Sequence, residues 1–331
     1  MKFLIAGLGS IGKRHLQNLA TLGEFDLTVY RTNHSTISKK DLPDFKVETD
    51  LETALNQKPD AVIIANPTSL HMEVAIAAAK AGCHLFLEKS ISHNLDQVKE
   101  LKNILKINKL QCLVGFQYRL HPGLQKIKEL IKDGAIGRPL SARAQWGEYL
   151  PSWHPWEDYR KGYSARSDLG GGVVLTLCHP LDYLRWMLGE VEQLWAFSGK
   201  ISDLEINVED FAEVGLRFTN GTIGNLHLDY FRKPPEHRLD LVGSEGTIEW
   251  RAETGVTRLY RFNTDAWESF LPPQGFSRND LFLAEMRHFL QVISGECTPI
   301  ATLDDGEKSL ILANAILTSA KSKKIIHISS N

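Results

Sequence analysis

In "FLEKS", residues 86–90, a glutamate and a lysine follow directly on an apolar run that reads as a buried strand. Charges at such a place are costly unless paired or used, so Glu88 and Lys89 are either a strand-end ion pair or part of a site. A second candidate lies in "GGGVVLTLCHPLDYLRW", where Thr176, His179, Asp182 and Trp186 recur at spacings of three and four and so share one helical face. A histidine there is a packing residue or a group that exchanges a proton with a hydroxyl. Asp182 is available to orient it, although Pro180 between them disturbs a helix. The stretch "YLPSWHPWEDYRKGYSARSDLGGG" (149–172) interleaves Trp153, Trp156, Tyr159 and Tyr163 with His154, Arg160, Lys161 and Arg166. Flat aromatics suit sugar C–H faces, and arginines suit carboxylate or phosphate groups. A loop of this length and composition is a substrate lid or an oligomer contact.

These side chains need elements that hold them, and the N-terminal third has the pattern of a nucleotide-binding unit. "KFLIA" (2–6) is a short apolar strand, "GLGSIG" (7–12) follows at once, and residues 13–23 space apolar side chains helically before a closing glycine. Gly7 permits the tight turn, Gly9 lets the backbone approach a pyrophosphate, and Gly12 allows helix and strand to pack closely. The helix start at Ser10 and Ile11 offers N–H groups to phosphates. After the second strand, "DLTVY" (26–30), an NAD site usually carries a carboxylate for the ribose hydroxyl; this chain has Arg31. With Thr32, Asn33 and Ser35 it suits a 2′-phosphate, so NADP is the expected cofactor. NAD is the alternative, with Arg31 stacked on adenine or facing solvent.

Further strands are expected at 60–65, 84–87 and 111–116, with helices at 51–57, 69–81 and 94–107 between them. This alternation predicts a parallel, doubly wound α/β sheet and puts Glu88 and Lys89, with Asn66 and Pro67 of "NPTS", at strand C-terminal ends, where such sheets bind ligands. Residues 139–149, 191–200, 208–219, 222–231, 237–243, 246–251 and 256–262 read as strands of a mainly antiparallel sheet, with helices at 278–294 and 305–321. The domain boundary falls near 118–122, where "HPG" opens a helix. A dinucleotide-binding domain over 1–119 and a substrate-binding and oligomerisation domain over 120–331 result.

The totals agree with two domains: 331 residues, 43% hydrophobic, 24% charged, with a formal charge of −2. That balance suggests neither a nucleic-acid footprint nor a membrane surface, so the partner is a small molecule. The four cysteines, Cys83, Cys112, Cys178 and Cys297, form no CxxC pair and indicate neither zinc nor a disulfide framework; a reducing cytoplasm fits, and no targeting segment is read.

"ANPTSLHMEVAIAAAKAGCHLFLEKS" (65–90), the leading glycine pattern, "GFQYRLHP" (115–122), "GGGVVLTLCHPLDYLRWMLG" (170–189), "VGSEGTIEW" (242–250) and the late "LDDGEKSLILANAILTSAKSKK" (303–324) together resemble the glucose–fructose oxidoreductase / inositol dehydrogenase / MocA-like family. The resemblance covers nearly the whole chain. It implies a Rossmann domain followed by an α/β domain whose open antiparallel sheet mediates dimers or tetramers. It also implies that Asn66, Pro67, His71 and Glu88 join the cofactor site, and that Lys89 lies beside the nicotinamide and serves the oxygen whose carbon gains or loses hydride. Ser90 stands where the family has proline. The family aspartate before His179 is missing, with Leu175 and Thr176 there instead, so His179 carries the acid–base or substrate-binding role without its usual partner. Tyr118 and Arg119 fall at the family's position facing the cleft, and Trp153, Arg160, Arg166, Thr176 and Asp182 complete the expected substrate contacts. The implied activity is oxidation or reduction at a hydroxyl or keto carbon of a sugar, sugar nucleotide or polyol, with a link to cell-surface sugar synthesis. Relatives offer two alternatives: a redox-neutral, NAD-dependent glycoside hydrolase and a non-catalytic regulatory protein.

Overall fold

A computed structural model describes residues 1–32 and 45–329 of the chain. Asn33 and Ser35, named above beside Arg31, lie outside the described residues. By their contacts the residues form two compact units, Met1–Gln117 with Ser277–Leu310, and Tyr118–Phe276 with Ile311–Asn331.

The first unit runs β1 (Lys2–Ala6), α1 (Ser10–Leu22), β2 (Asp26–Tyr30), β3 (Lys46–Glu48), α2 (Leu51–Leu55), β4 (Ala61–Ile64), α3 (His71–Lys80), β5 (His84–Leu87), α4 (Val98–Ile107) and β6 (Cys112–Val114). Its six strands are parallel in the order β3-β2-β1-β4-β5-β6. β4 is buried along its whole length, the continuous apolar run that helices on both faces of a parallel sheet require. The strand order reverses between β1 and β4, which makes the C-terminal ends of those two strands the switch point of the sheet. β3 has no counterpart among the expected strands: its three residues are too short and too polar to show a period.

The second unit runs α5 (Pro122–Lys132), β7 (Pro139–Gly147), α6 (Val173–Thr176), α7 (His179–Leu188), β8 (Val191–Gly199), β9 (Phe211–Phe218), β10 (Ile223–Asp229), β11 (Glu236–Gly243), β12 (Gly246–Arg251), β13 (Thr257–Arg261) and β14 (Ala266–Phe270). α8 (Arg278–Ile293) and the first part of α9 (Leu303–Ser322) count with the first unit, and β15 (Ile326–His327) closes the second. The nine strands follow the order β14-β13-β12-β11-β7-β10-β9-β8-β15, antiparallel except for the parallel pair β7/β10. Alternation along β9 and β11 buries Ala212, Val214, Leu216, His237, Leu239 and Leu241 on one face. On the other face Asp240 holds Arg251 at 2.6 Å, and Glu213 takes Asn225 and His227. α5 begins as "HPG" suggests: Pro122 occupies the first turn, and the His121 Nδ1 accepts the Gly123 N–H at 3.0 Å.

Four expectations change. The segment Ser277–Leu310, read as part of the second domain, packs with the first unit. The buried stripe of α8 (Leu281, Phe282, Glu285, Met286, Phe289) lies against α1 and β5, with Phe289 against Phe86 at 5.6 Å and Phe282 against His15 at 6.1 Å. Thr176 does not share a helix with His179, because the chain breaks at Leu177 and Cys178 between α6 and α7. Pro180 therefore sits in the first turn of α7, where a missing N–H costs nothing, and does not disturb the helix. The stretch 149–172 is not without structure: it winds through 3-10 turns at Leu150–Ser152, Tyr159–Lys161, Tyr163–Ala165 and Ser167–Leu169.

Candidate active site

The glycine turn shows three different reasons for three glycines. Gly7 has φ +95°, and a Cβ there would stand 2.5 Å from the Asn66 backbone nitrogen. The turn after β1 therefore presses directly on the segment that follows β4. At Gly12 a Cβ would meet the Gly7 carbonyl oxygen at 2.0 Å, so α1 can approach β1 only without a side chain. At Gly9 a Cβ would meet nothing within 4 Å. The protein itself leaves that position open, in front of the first N–H groups of α1, Ser10 and Ile11 among them, as a bound pyrophosphate would need.

Asn66 and Pro67 follow β4. The Asn66 Nδ2 donates to the Leu70 carbonyl at 3.1 Å, and its Oδ1 is buried with no partner among the described residues. His71 joins this strand end to the next. Its Nε2 faces the Asn66 carbonyl and its Nδ1 the Ser90 carbonyl, each at 2.8 Å. Burial pushes the imidazole pKa down, and the two carbonyls and the Glu88 charge only partly oppose it.

The Glu88 carboxylate turns to α1 and to the backbone of the next residue. Its Oε1 lies 2.6 Å from Nε2 of the fully buried His15 on α1, and its Oε2 accepts the Lys89 backbone N–H at 3.2 Å. A side chain at Gly115 would come within 3.1 Å of Glu88 Oε2, so the end of β6 is kept clear for the carboxylate. Burial works to raise the Glu88 pKa, but the hydrogen bond and charge of His15, with Lys89 and His71, hold it below the usual carboxylate range. Behind it, Glu285 of α8 is 2% exposed and its Oε2 has no partner among the described residues. Burial and the Glu88 charge push the Glu285 pKa well above the usual carboxylate range, which favours its neutral form. The chain thus builds a buried corner from His15, Glu88 and Glu285, with the partly exposed Lys89 at its edge. The Lys89–Ser90 peptide bond is cis. At the end of β2, Arg31 is 9% exposed and its N–H donates to the Glu48 carbonyl, whereas Thr32 is exposed.

The second unit gathers a different set. Arg119 and Asp182 form a buried two-pronged pair, Nε to Oδ2 at 2.9 Å and Nη2 to Oδ1 at 2.6 Å. Asp182, considered above as a partner for the imidazole, is thereby engaged by Arg119. Tyr118 meets His179 edge-on at 4.9 Å and His237 at 4.9 Å, and Trp146 lies parallel to His237 at 4.3 Å. Near Thr176, the buried Tyr230 hydroxyl donates to the Ser164 carbonyl at 3.4 Å. Beside it, Glu209 accepts the Val174 N–H at 3.2 Å, and burial lifts its pKa to about 7. Two of the expected arginines are otherwise occupied. Arg160 binds Asp158 at 2.8 Å and Glu205 at 2.7 Å, Arg166 binds Asp168, and the two side chains are 51% and 43% exposed. With Lys200 and Asn207 they line a surface recess of about 550 Å³. Trp153 packs against Tyr230 at 5.5 Å, while Trp156 is exposed.

Several of these side chains were not singled out in the sequence, and neither was Tyr183 of α7, whose hydroxyl lies 3.1 Å from His237 Nε2. His15 had a signal, since it lies on the inward face of the glycine-turn helix with Gly12 and Leu19. Glu285 had one too, as a charge on the apolar stripe of α8. His237 and Tyr183 had none, because sheet pairing and helix packing alone bring His237 to Tyr118 and Tyr183 to His237. Among the described residues no group of three or more His, Cys, Asp or Glu side chains is placed to hold a metal ion, and no helix is long and apolar enough to cross a membrane.

Comparison with known proteins agrees with this architecture. A model described as an oxidoreductase family with an NAD-binding Rossmann fold matches residues 1–116, and a GFO/IDH/MocA C-terminal domain model matches 124–249. A myo-inositol 2-dehydrogenase of Thermotoga maritima is 29% identical over 346 aligned positions, spanning 99% of this chain and 98% of that protein. An uncharacterized oxidoreductase of Synechocystis is 31% identical, over 77% of this chain and 70% of its own. Among solved structures, a levoglucosan dehydrogenase in complex with NADH superposes with a TM-score of 0.88 at 20% identity, covering 100% of both chains.

Proposed function

From the premise that this chain belongs to the GFO/IDH/MocA oxidoreductase family, with its NAD-binding Rossmann fold, we propose that it moves hydride between a nicotinamide dinucleotide and a hydroxyl or keto carbon of a sugar or polyol. The observation that carries this reading is the convergence at the C-terminal ends of β1, β4 and β5. An open approach at Gly9, a buried acceptor without partner at Asn66 Oδ1, and a lysine beside a buried anionic corner meet at the switch point of one sheet. Relatives that act on inositol and levoglucosan support the substrate class.

The dinucleotide would lie across Gly7, Gly9 and Gly12, its pyrophosphate on the N–H groups of Ser10 and Ile11, its nicotinamide end near Asn66, Pro67, His71 and Glu88. Bound there, it supplies the hydride acceptor or donor. Lys89 holds the reacting oxygen and exchanges its proton; His15 and Glu88 set the charge behind it. In the second unit, His179 and Tyr118 bind or exchange a proton with substrate hydroxyls, with the Arg119–Asp182 pair fixing the segment that carries Tyr118. Arg31 supports NADP as the preferred cofactor, and NADH in the solved relative supports NAD. The recess at Arg160 and Arg166 supports an acidic or nucleotide-linked sugar, as in cell-surface sugar synthesis, and its arginines would exchange Asp158, Glu205 and Asp168 for the ligand. A homodimer or homotetramer working in the cytoplasm completes the reading.

The test is titration with NADPH and NADH by fluorescence, then turnover of the tighter cofactor with myo-inositol, levoglucosan and a panel of nucleotide sugars. Turnover that Lys89→Ala abolishes supports the reading. Tight binding with no net reduction across the panel favours a redox-neutral hydrolase or a regulator, and binding of neither cofactor overturns the reading.

A further inference from the structure

In the second unit a hydrogen-bonded row stands behind Tyr118: Tyr183 on α7, then His237 on β11, then the Tyr118 hydroxyl. The Tyr183 hydroxyl lies 3.1 Å from His237 Nε2, and His237 Nδ1 lies 3.3 Å from the Tyr118 hydroxyl. All three side chains are buried, Tyr183 completely. The ring of His237 is clamped flat on Trp146, 4.3 Å away with 1° between planes, and meets Trp250 edge-on at 4.9 Å.

The proton positions follow from satisfying buried groups. Among the described residues the Tyr183 hydroxyl has one hydrogen-bond partner, His237 Nε2. If Nε2 carried the proton, the Tyr183 proton would point into the interior unbonded, which costs far more than the bond is worth. Tyr183 therefore donates, Nε2 accepts, and the proton of the neutral ring sits on Nδ1, aimed at the Tyr118 oxygen. Burial holds the Tyr183 phenol well above its ordinary pKa and keeps it a donor. A donor fixed on the Tyr118 oxygen stabilises its phenolate and leaves the tyrosine's own proton unspent on His237.

We infer that His237 is a positioning residue: anchored by Tyr183 and flattened on Trp146, it presents Nδ1–H to the Tyr118 hydroxyl and makes that hydroxyl a better proton-exchange group for a sugar hydroxyl. The inference rests on the reading of Tyr118 as a substrate-facing group. Other titratable groups around Tyr118 are His179 and His121, with the Arg119–Asp182 pair next to it in sequence and structure.

The test is made on the full chain with ¹⁵N-labelled histidine and ¹³Cζ-labelled tyrosine, comparing wild type with His237→Phe, His237→Asn and Tyr183→Phe. NMR of the wild type is expected to show His237 as the Nδ1–H tautomer. His237→Phe is expected to move the Tyr118 titration upward by about one pH unit, the size of one lost hydrogen bond to the phenolate. His237→Asn, which keeps a donor near the Nδ1 position, recovers part of the shift. The NADPH or NADH affinity serves as the folding control and stays unchanged. With a substrate in hand, the Tyr118-dependent limb of the kcat profile moves with the same shift. An Nε2–H tautomer, or a Tyr118 titration that does not move in a variant that still binds cofactor, overturns the inference. Because the titration needs no substrate, a silent sugar panel would count against the proposed function and leave this reading to stand or fall by itself.

Discussion

At the residue scale, the three glycines of the first turn make separable predictions. Gly9 has φ −69° and an empty Cβ position, so Gly9→Ala should fold with stability within about 0.5 kcal/mol of wild type while cofactor affinity falls at least tenfold. Thermal melting and fluorescence titration of that one variant check both halves; equal affinity would mean that the pyrophosphate does not approach there. Lys89 makes the complementary case. If it holds the reacting oxygen, Lys89→Ala should lower kcat by roughly 10²–10⁴ and leave the cofactor dissociation constant within about threefold. Arg31 tests the cofactor choice: Arg31→Glu should weaken NADPH binding more than NADH binding by about tenfold or more, since it sets a carboxylate against a phosphate.

At the element scale, α8 controls the buried corner behind β5. Burial and the Glu88 charge raise the Glu285 pKa in the folded state, while in the unfolded chain it ionises near the ordinary carboxylate value. Between those two values the folded state binds more protons than the unfolded one, so stability falls as pH rises from the ordinary value to the folded one, then levels. Glu285→Gln copies the neutral acid and removes that loss. It should raise the thermal midpoint by about 2–4 °C at pH 7.5 and have no effect near pH 4. A midpoint that drops at pH 7.5 would show that the ionised form is used. The same elements explain why the corner exists. α1 brings His15 because Gly12 lets the helix sit on β1, and β5 brings Glu88 where the end of β6 has a glycine, so that no Cβ crowds the carboxylate.

At the scale of the molecule, the two units each have their own sheet and their own set of candidate groups, and the residues proposed to hold the cofactor all lie in the first. A ligand that binds the native state at a hundredfold excess over its dissociation constant stabilises it by about 2.7 kcal/mol. Saturating NADPH or NADH should therefore raise the midpoint in calorimetry. Variants of the second unit, such as Tyr118→Phe, should show the same rise, whereas Gly9→Ala should lose most of it.

The doubly wound sheet was legible in the sequence because its strands are short apolar runs separated by helices of clear period, and a glycine turn of that kind has few other uses. β1, β2 and β5 fall on the expected residues. The mainly antiparallel second sheet was legible for the same reason, from alternation and turn residues. Strands too short or too polar to carry a period, β3, β14 and β15, were not. Glu88 and Lys89 could be named from sequence because a charge behind a buried strand is a local anomaly. What Glu88 pairs with, where Ser277–Leu310 packs, that Asp182 meets Arg119 and that His237 stands between two tyrosines were decided only by the tertiary structure. Each of those facts joins residues far apart in the chain. Local spacing reports which face a side chain takes, but the partner across from it is chosen by how whole elements pack.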